Sequence, residues 1–213
     1  MPISPLERVE TFCRSHNLQI PILMAPMANA CPASLSIAVA NAGGMGACGC
    51  YMMRPEQIKK WVQTVRSGSN GVFQLNLWIP DPDPVRDAKN EAALREFLGQ
   101  WGPEVNSKDT EASQINFEEQ CEATIALGPS VISSIMGIYP TSFVARLKNQ
   151  GIKWFATVTS VTEALAAEAA GADVIVAQGV EAGGHRGSFN AEDVSRSLVG
   201  LFSLLPAVVD AVK

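Results

Sequence analysis

The sequence predicts a parallel α/β fold, on three observations. Short apolar runs alternate with segments of helical period along the chain. Runs such as Val174-Ile175-Val176-Ala177 carry no polar alternation, which suits strands buried on both faces. Hydrophobic residues make up 47% of the 213 residues against 17% charged, enough apolar material for a sizeable core in one large domain.

In order, a helix is expected over residues 5–16 and a strand over 20–24. A helix over 32–42 follows, closed by Gly43-Gly44, a pair suited to a left-handed cap. Next come a strand over 45–49 and a helix over 54–65 with Pro55 at its first turn. The third strand spans 71–78. Two helices, 85–101 and 116–126, fill a connection of nearly fifty residues, about 80–127; insertions of that size usually cap a site. The strand over 131–136, the helix over 141–149 and the strand over 153–158 restore the alternation. Thr159-Ser160 offers a capped start to a helix over 161–170, closed by Gly171. A sixth strand over 173–178 and a helix over 195–213 complete the chain, read as one domain over 1–213, either an open doubly wound sheet or a (β/α)8 barrel.

Composition also excludes functions. The net charge of −5 is evenly spread, which argues against nucleic acid or an anionic membrane as partner. No apolar run reaches the roughly 20 residues of a membrane span. Glu7, Arg8, Glu10 and Arg14 interrupt any signal-peptide core, so a cytoplasmic location is expected. The five cysteines are odd in number and match no zinc or disulfide spacing; Cys48 and Cys50, flanking one glycine in an apolar stretch, read as small core residues rather than a redox pair. Two histidines, His16 and His185, exclude a multi-histidine metal site, and no metal is expected. No G-x-S-x-G elbow supplies a serine nucleophile.

Four stretches carry the chemistry. Gly44-Met-Gly46-Ala-Cys-Gly49 has the spacing of a dinucleotide fingerprint but follows a helix and lies within a strand. Its glycines therefore read as close backbone approach. Gly179-Val-Glu-Ala-Gly183-Gly184-His185-Arg186-Gly187 follows a strand directly, and lacks the Lys and Ser/Thr of a phosphate loop. It sets Glu181, His185 and Arg186 at the C-terminal end of a parallel strand, where ligands bind in α/β proteins. The bland alternative is a solvated turn with a surface histidine. Asn76 and Gln178 are amides in or at the end of apolar strands, and bond either backbone or a ligand. Ala25-Pro26-Met27-Ala28-Asn29-Ala30 is either an ordinary loop or one whose backbone meets a flat ring system.

Together these stretches resemble the nitronate monooxygenase family, from about Leu18 onward. The segments that carry the likeness are 21–28 with 40–46, 73–78, the alanine-rich 162–171 and, most specifically, Ala177-Gln-Gly-Val-Glu-Ala-Gly-Gly-His-Arg-Gly-Ser-Phe189. The resemblance implies a TIM (β/α)8 barrel with FMN as cofactor. It implies that the Ala25, Pro26 and Met27 backbone, Asn76, Gln178, Gly183 and Gly184 bind FMN, with His185 as the catalytic residue. Such enzymes oxidise alkyl nitronates with O2 to a carbonyl compound and nitrite. Met24 and Asn29 depart from the usual residues around the first loop. The chain holds about six of the eight β/α units, so the barrel is expected to be truncated. The loops after strands seven and eight usually hold the phosphate, so weak FMN binding by this chain alone is expected. A second copy, or a complementing C-terminal chain, is the partner this implies. The alternatives are a flavin-dependent enoyl-acyl-carrier-protein reductase, which shares the fold and a similar Glu-Ala-Gly-Gly-His stretch, or an inactive truncated fragment.

Overall fold

The computed structural model describes residues 4–82, 85–103 and 115–213. Helices and strands alternate as α1 (Pro5–Ser15), α2 (Ala33–Asn41), β1 (Gly46–Gly49), α3 (Pro55–Gly68), β2 (Phe73–Trp78), α4 (Ala88–Gly99), α5 (Phe117–Ala126), β3 (Val131–Ile135), α6 (Thr141–Asn149), β4 (Lys153–Val158), α7 (Val161–Ala169), β5 (Val174–Ala177) and α8 (Leu201–Ala211). The strands form one parallel sheet in the order β1-β2-β3-β4-β5. No helix among the described residues is long and apolar enough to cross a membrane.

The sheet has two faces with different tasks. Leu75 and Leu77 of β2, Ile132 of β3, and Trp154, Ala156 and Val158 of β4 pack against the helices in the main core. The opposite, inner face is closed at the N-terminal end of the strands by α1. There Phe12, Cys13 and Leu18 meet Met45, Val72, Val131 and Phe155. Ser4 caps α1 in a reciprocal capping box with Glu7, which fixes where that plug begins.

Several expectations change. The strand over 20–24 is reduced to a single parallel bridge, Leu23 to Met45. Met45 N–H donates to Ile22 and Met24 N–H to the Met45 carbonyl, but Pro21 has no N–H to continue the ladder. The sheet therefore has five strands and a flanking extended segment, not six strands. β2 starts at Phe73 because Gly71 is left-handed at φ 79°, and β3 stops at Ile135 because Met136 is left-handed at φ 66°. The expected burial of β5 on both faces is not met: Val176 is 39% exposed, because β5 ends the sheet. The last helix begins at Leu201 rather than 195. Asn190 caps a separate 3-10 turn, Ala191–Arg196, and Gly200 then starts α8. Of the insertion over 80–127, α4 and α5 are found, while 83–84 and 104–114 lie outside the described residues. The glycine pattern of 44–49 is indeed a strand under close approach. A Cβ on Gly49 would lie 2.7 Å from the Ala28 nitrogen.

All five cysteines are free and buried. Burial raises the Cys31 thiol and pushes that of Cys121 up to about 12. The neighbouring Cys48 and burial together hold the Cys50 thiol well above its ordinary range.

Candidate active site

A cavity of about 1310 Å³ opens on the inner face at the C-terminal ends of the strands. Ala25, Pro26, Met27, Asn76, Gln178, Gly183, Gly184 and His185 all line it. Residues from both ends of the chain thus meet at one place, because the parallel topology puts every βα loop on the same end of the sheet.

The wall is polar at depth. Asn76 is 3% exposed and donates from Nδ2 to Ser133 Oγ at 3.0 Å, its register partner on β3. Two residues earlier on the same face, Gln74 donates from Nε2 to the Met24 carbonyl at 3.1 Å and so ties the first loop to β2. Neither side-chain oxygen accepts a hydrogen bond among the described residues. Gln74, Ser133 and Thr157 line the cavity and were missed in the sequence. For Gln74 alone a signal existed, since period two puts it on the same face as Asn76.

The glycine-rich loop is firmly held. Gln178 grips its backbone on both sides of Arg186: Nε2 donates to the His185 carbonyl at 3.0 Å and Oε1 accepts from Gly187 N–H at 2.7 Å. The amide expected to bind a cofactor therefore spends these bonds on the loop. Arg186 donates to the carbonyls of Gln178, Thr159 and Ser197, and its Nε is buried without a partner. Glu181 accepts from Leu201 N–H at the start of α8. Its own N–H and that of Leu201 hold its carboxyl below the usual range. Gly184 turns the loop at φ 80°, an angle that side chains rarely take.

This frame presents His185 at the rim. Its imidazole meets Trp78 edge-on, with ring centroids 4.7 Å apart. Trp78 is in turn stacked on Tyr51 at 4.2 Å. The His185 ring makes no hydrogen bond among the described residues, so both of its nitrogens are unengaged.

The family model for nitronate monooxygenase matches residues 10–213. The chain belongs to the nitronate monooxygenase family. A probable nitronate monooxygenase of Staphylococcus aureus (strain MSSA476) is 35% identical over 202 residues, covering 92% of this chain and 56% of the relative. One from Staphylococcus haemolyticus (strain JCSC1435) is 33% identical over 206 residues, covering 93% and 57%. Among solved structures, nitroalkane oxidase from Streptomyces ansochromogenes superposes with a TM-score of 0.77 at 28% identity, over 92% of this chain and 57% of that one. FabK from Thermotoga maritima superposes with a TM-score of 0.68 at 25% identity, over 95% and 51%. The chain therefore spans a little over half the length of the nitronate monooxygenase relatives it matches. Its parallel sheet with alternating helices agrees with the expectation of a barrel represented in part.

Proposed function

We propose that the cavity takes FMN and that the chain serves the oxidation of alkyl nitronates by O2 to a carbonyl compound and nitrite, with His185 as the catalytic residue. The observation that carries this reading is an imidazole with both nitrogens unengaged, standing on Trp78 at the mouth of a large cavity. The residues fit a flavin. The N–H groups of Ala25, Ala28, Gly183 and Gly184 donate to no described residue, and the side-chain oxygens of Gln74 and Asn76 accept from none. The cavity lining thus offers free donors and acceptors, the complement of a ring system with both on its edge.

When bound, the flavin would supply the redox chemistry. An imidazole N–H of His185 would donate to a nitronate oxygen and hold the anion; unprotonated, the same ring would accept the α-proton of a neutral nitroalkane. Trp78 and Tyr51 form the apolar side of the mouth, against which an alkyl group would rest. The open edge of β5 and the exposed Phe202 leave room for a second copy or a complementing C-terminal chain, and the setting we assign is cytoplasmic.

The test is the visible spectrum of the purified chain with FMN, read beside its size in solution, followed by nitrite release from propane-2-nitronate. A perturbed, co-eluting flavin and nitrite release abolished in His185→Asn support the proposal. Flavin retention without nitrite, but with NAD(P)H oxidation on an enoyl thioester, would replace it with the enoyl-acyl-carrier-protein reductase reading. No flavin and no turnover would leave an inactive fragment.

A further inference from the structure

We propose that Glu163 is the positioning residue for His185: it fastens the far end of the histidine loop to the buried part of the sheet. Glu163 is the third residue of α7 and is half-buried. Its Oε2 accepts from Thr159 N–H at 2.6 Å and from the Thr159 hydroxyl at 2.8 Å. Its Oε1 accepts from Phe189 N–H at 2.8 Å and from the Ser188 hydroxyl at 3.1 Å. One carboxylate thus joins the end of β4 to residues three and four positions beyond His185. Thr159 is fully buried and Ser188 nearly so, which keeps water from competing.

All four partners are donors. A carboxylate, acceptor on both oxygens, satisfies them, whereas an amide would turn its NH2 against one pair. An acid at this first-turn position suits the start of α7 in any case; the bonds to Ser188 and Phe189 are what the helix alone does not require.

The need for this fastening follows from how the rest of the loop is held. Gln178 grips the loop from within, and Gln178 itself follows β5, the exposed end of the sheet. That clip sets the local shape but lets loop and strand end move together. Arg186 makes its two shorter bonds, both 2.8 Å, to the Gln178 and Ser197 carbonyls beyond β5, and reaches the Thr159 carbonyl after β4 only at 3.3 Å. At the crest, Gly183 and Gly184 have open space around them. Yet His185 meets Trp78, which lies on β2, three strands away from β5. Keeping that contact requires the loop to be referred to the middle of the sheet, and Glu163 supplies that reference through β4 with four bonds, beside the single longer Arg186 bond to the Thr159 carbonyl.

The proposal rests on the reading of His185 as the substrate-facing group, but its primary test does not. The full chain has only two histidines, His16 and His185, so both imidazoles can be resolved by NMR. His16 packs on Phe12 and Phe155 at the opposite end of the sheet and serves as the internal reference. In the unmodified chain the His185 ring protons are displaced by the Trp78 ring current, and Trp78→Leu assigns that displacement. Glu163→Gln is expected to move the His185 signals toward their Trp78→Leu positions while those of His16 stay. Ser188→Ala, which removes a hydroxyl shared between Glu163 Oε1 and the Asn190 carbonyl, is expected to move them part of the way. In the nitronate assay, Glu163→Gln should lower kcat on the order of tenfold or more while KM changes less, as expected for a misplaced group. Unchanged His185 signals in folded Glu163→Gln overturn the proposal. So does a Glu163→Gln chain that fails to fold, if Ser188→Ala leaves His185 in place. Failure of the unmodified chain to oxidise nitronates would count against the reaction, and the spectral result would still decide the role of Glu163.

Discussion

Val131 and Ile132 on β3 and Val174, Ile175 and Val176 on β5 are the same kinds of residue on parallel strands, and they end in different environments. The first pair is fully out of water, with helices on one side and the α1 plug on the other. On β5 every residue is only half-buried or less, and Val176 is 39% exposed. Residue type therefore sets what a strand can tolerate, while its rank in the sheet decides how much water it loses. The middle of the sheet should carry most of the stability, and the outer end should carry little in this chain on its own.

The largest test of that difference is Trp154→Ala. Trp154 is fully buried on β4, and its indole N–H donates to Ser134 Oγ at 3.0 Å. A loss of about 3–5 kcal/mol is expected from the urea unfolding midpoint. A loss below about 1 kcal/mol would deny the middle its role. Next comes Gly49→Ala, whose Cβ would press the backbone at Met27 and Ala28. It should cost about 1–3 kcal/mol and weaken flavin uptake in a spectral titration, because the loop it moves borders the cavity.

Asp173 probes the boundary between middle and edge. Burial raises its carboxyl pKa, but Trp154 N–H and the ammonium groups of Lys148 and Lys153 outweigh that, and the net shift is below the ordinary value of 3.8. A depressed folded-state value means that the stabilisation is fully present above the unfolded value and is lost as pH falls through the folded one. Asp173→Asn should therefore flatten the stability profile below about pH 4, measured by urea midpoints across pH. The smallest effect is expected from Phe202→Ser on α8, where the ring is 97% exposed. Stability should stay within about 0.5 kcal/mol and self-association should decrease. A cost above about 1 kcal/mol would show that this face is covered in solution and would blur the contrast with β3.

The same contrast explains what was legible in the sequence. β2 to β4 were legible because an apolar run flanked by turn glycines has few other uses. The loop with His185 was legible because four glycines within nine residues after a strand need a reason beyond turning. Gln74, Ser133 and Thr157 were not, since a polar residue in a strand faces the cavity or the helices only once the sheet has chosen its inner side. Glu163 was hidden for another reason: Ser188 and Phe189 lie 25 and 26 residues away, and no local pattern joins them. The segment over 20–24 has the hydrophobicity of a strand, but Pro21 lacks the N–H that would extend its ladder beyond one bridge.

The sulfur atoms carry one more consequence. Thiols react with alkylating agents and peroxides as thiolates and only when reached. Here all five are sheltered, and Cys31, Cys50 and Cys121 are held in their protonated form. The folded chain should therefore ignore iodoacetamide, and each thiol should be modified only when its own neighbourhood opens. Cys13 of α1, Cys48 on β1 and Cys121 in α5 would then act as three clocks in three places, timing the breathing of the plug, the sheet and the helix layer separately.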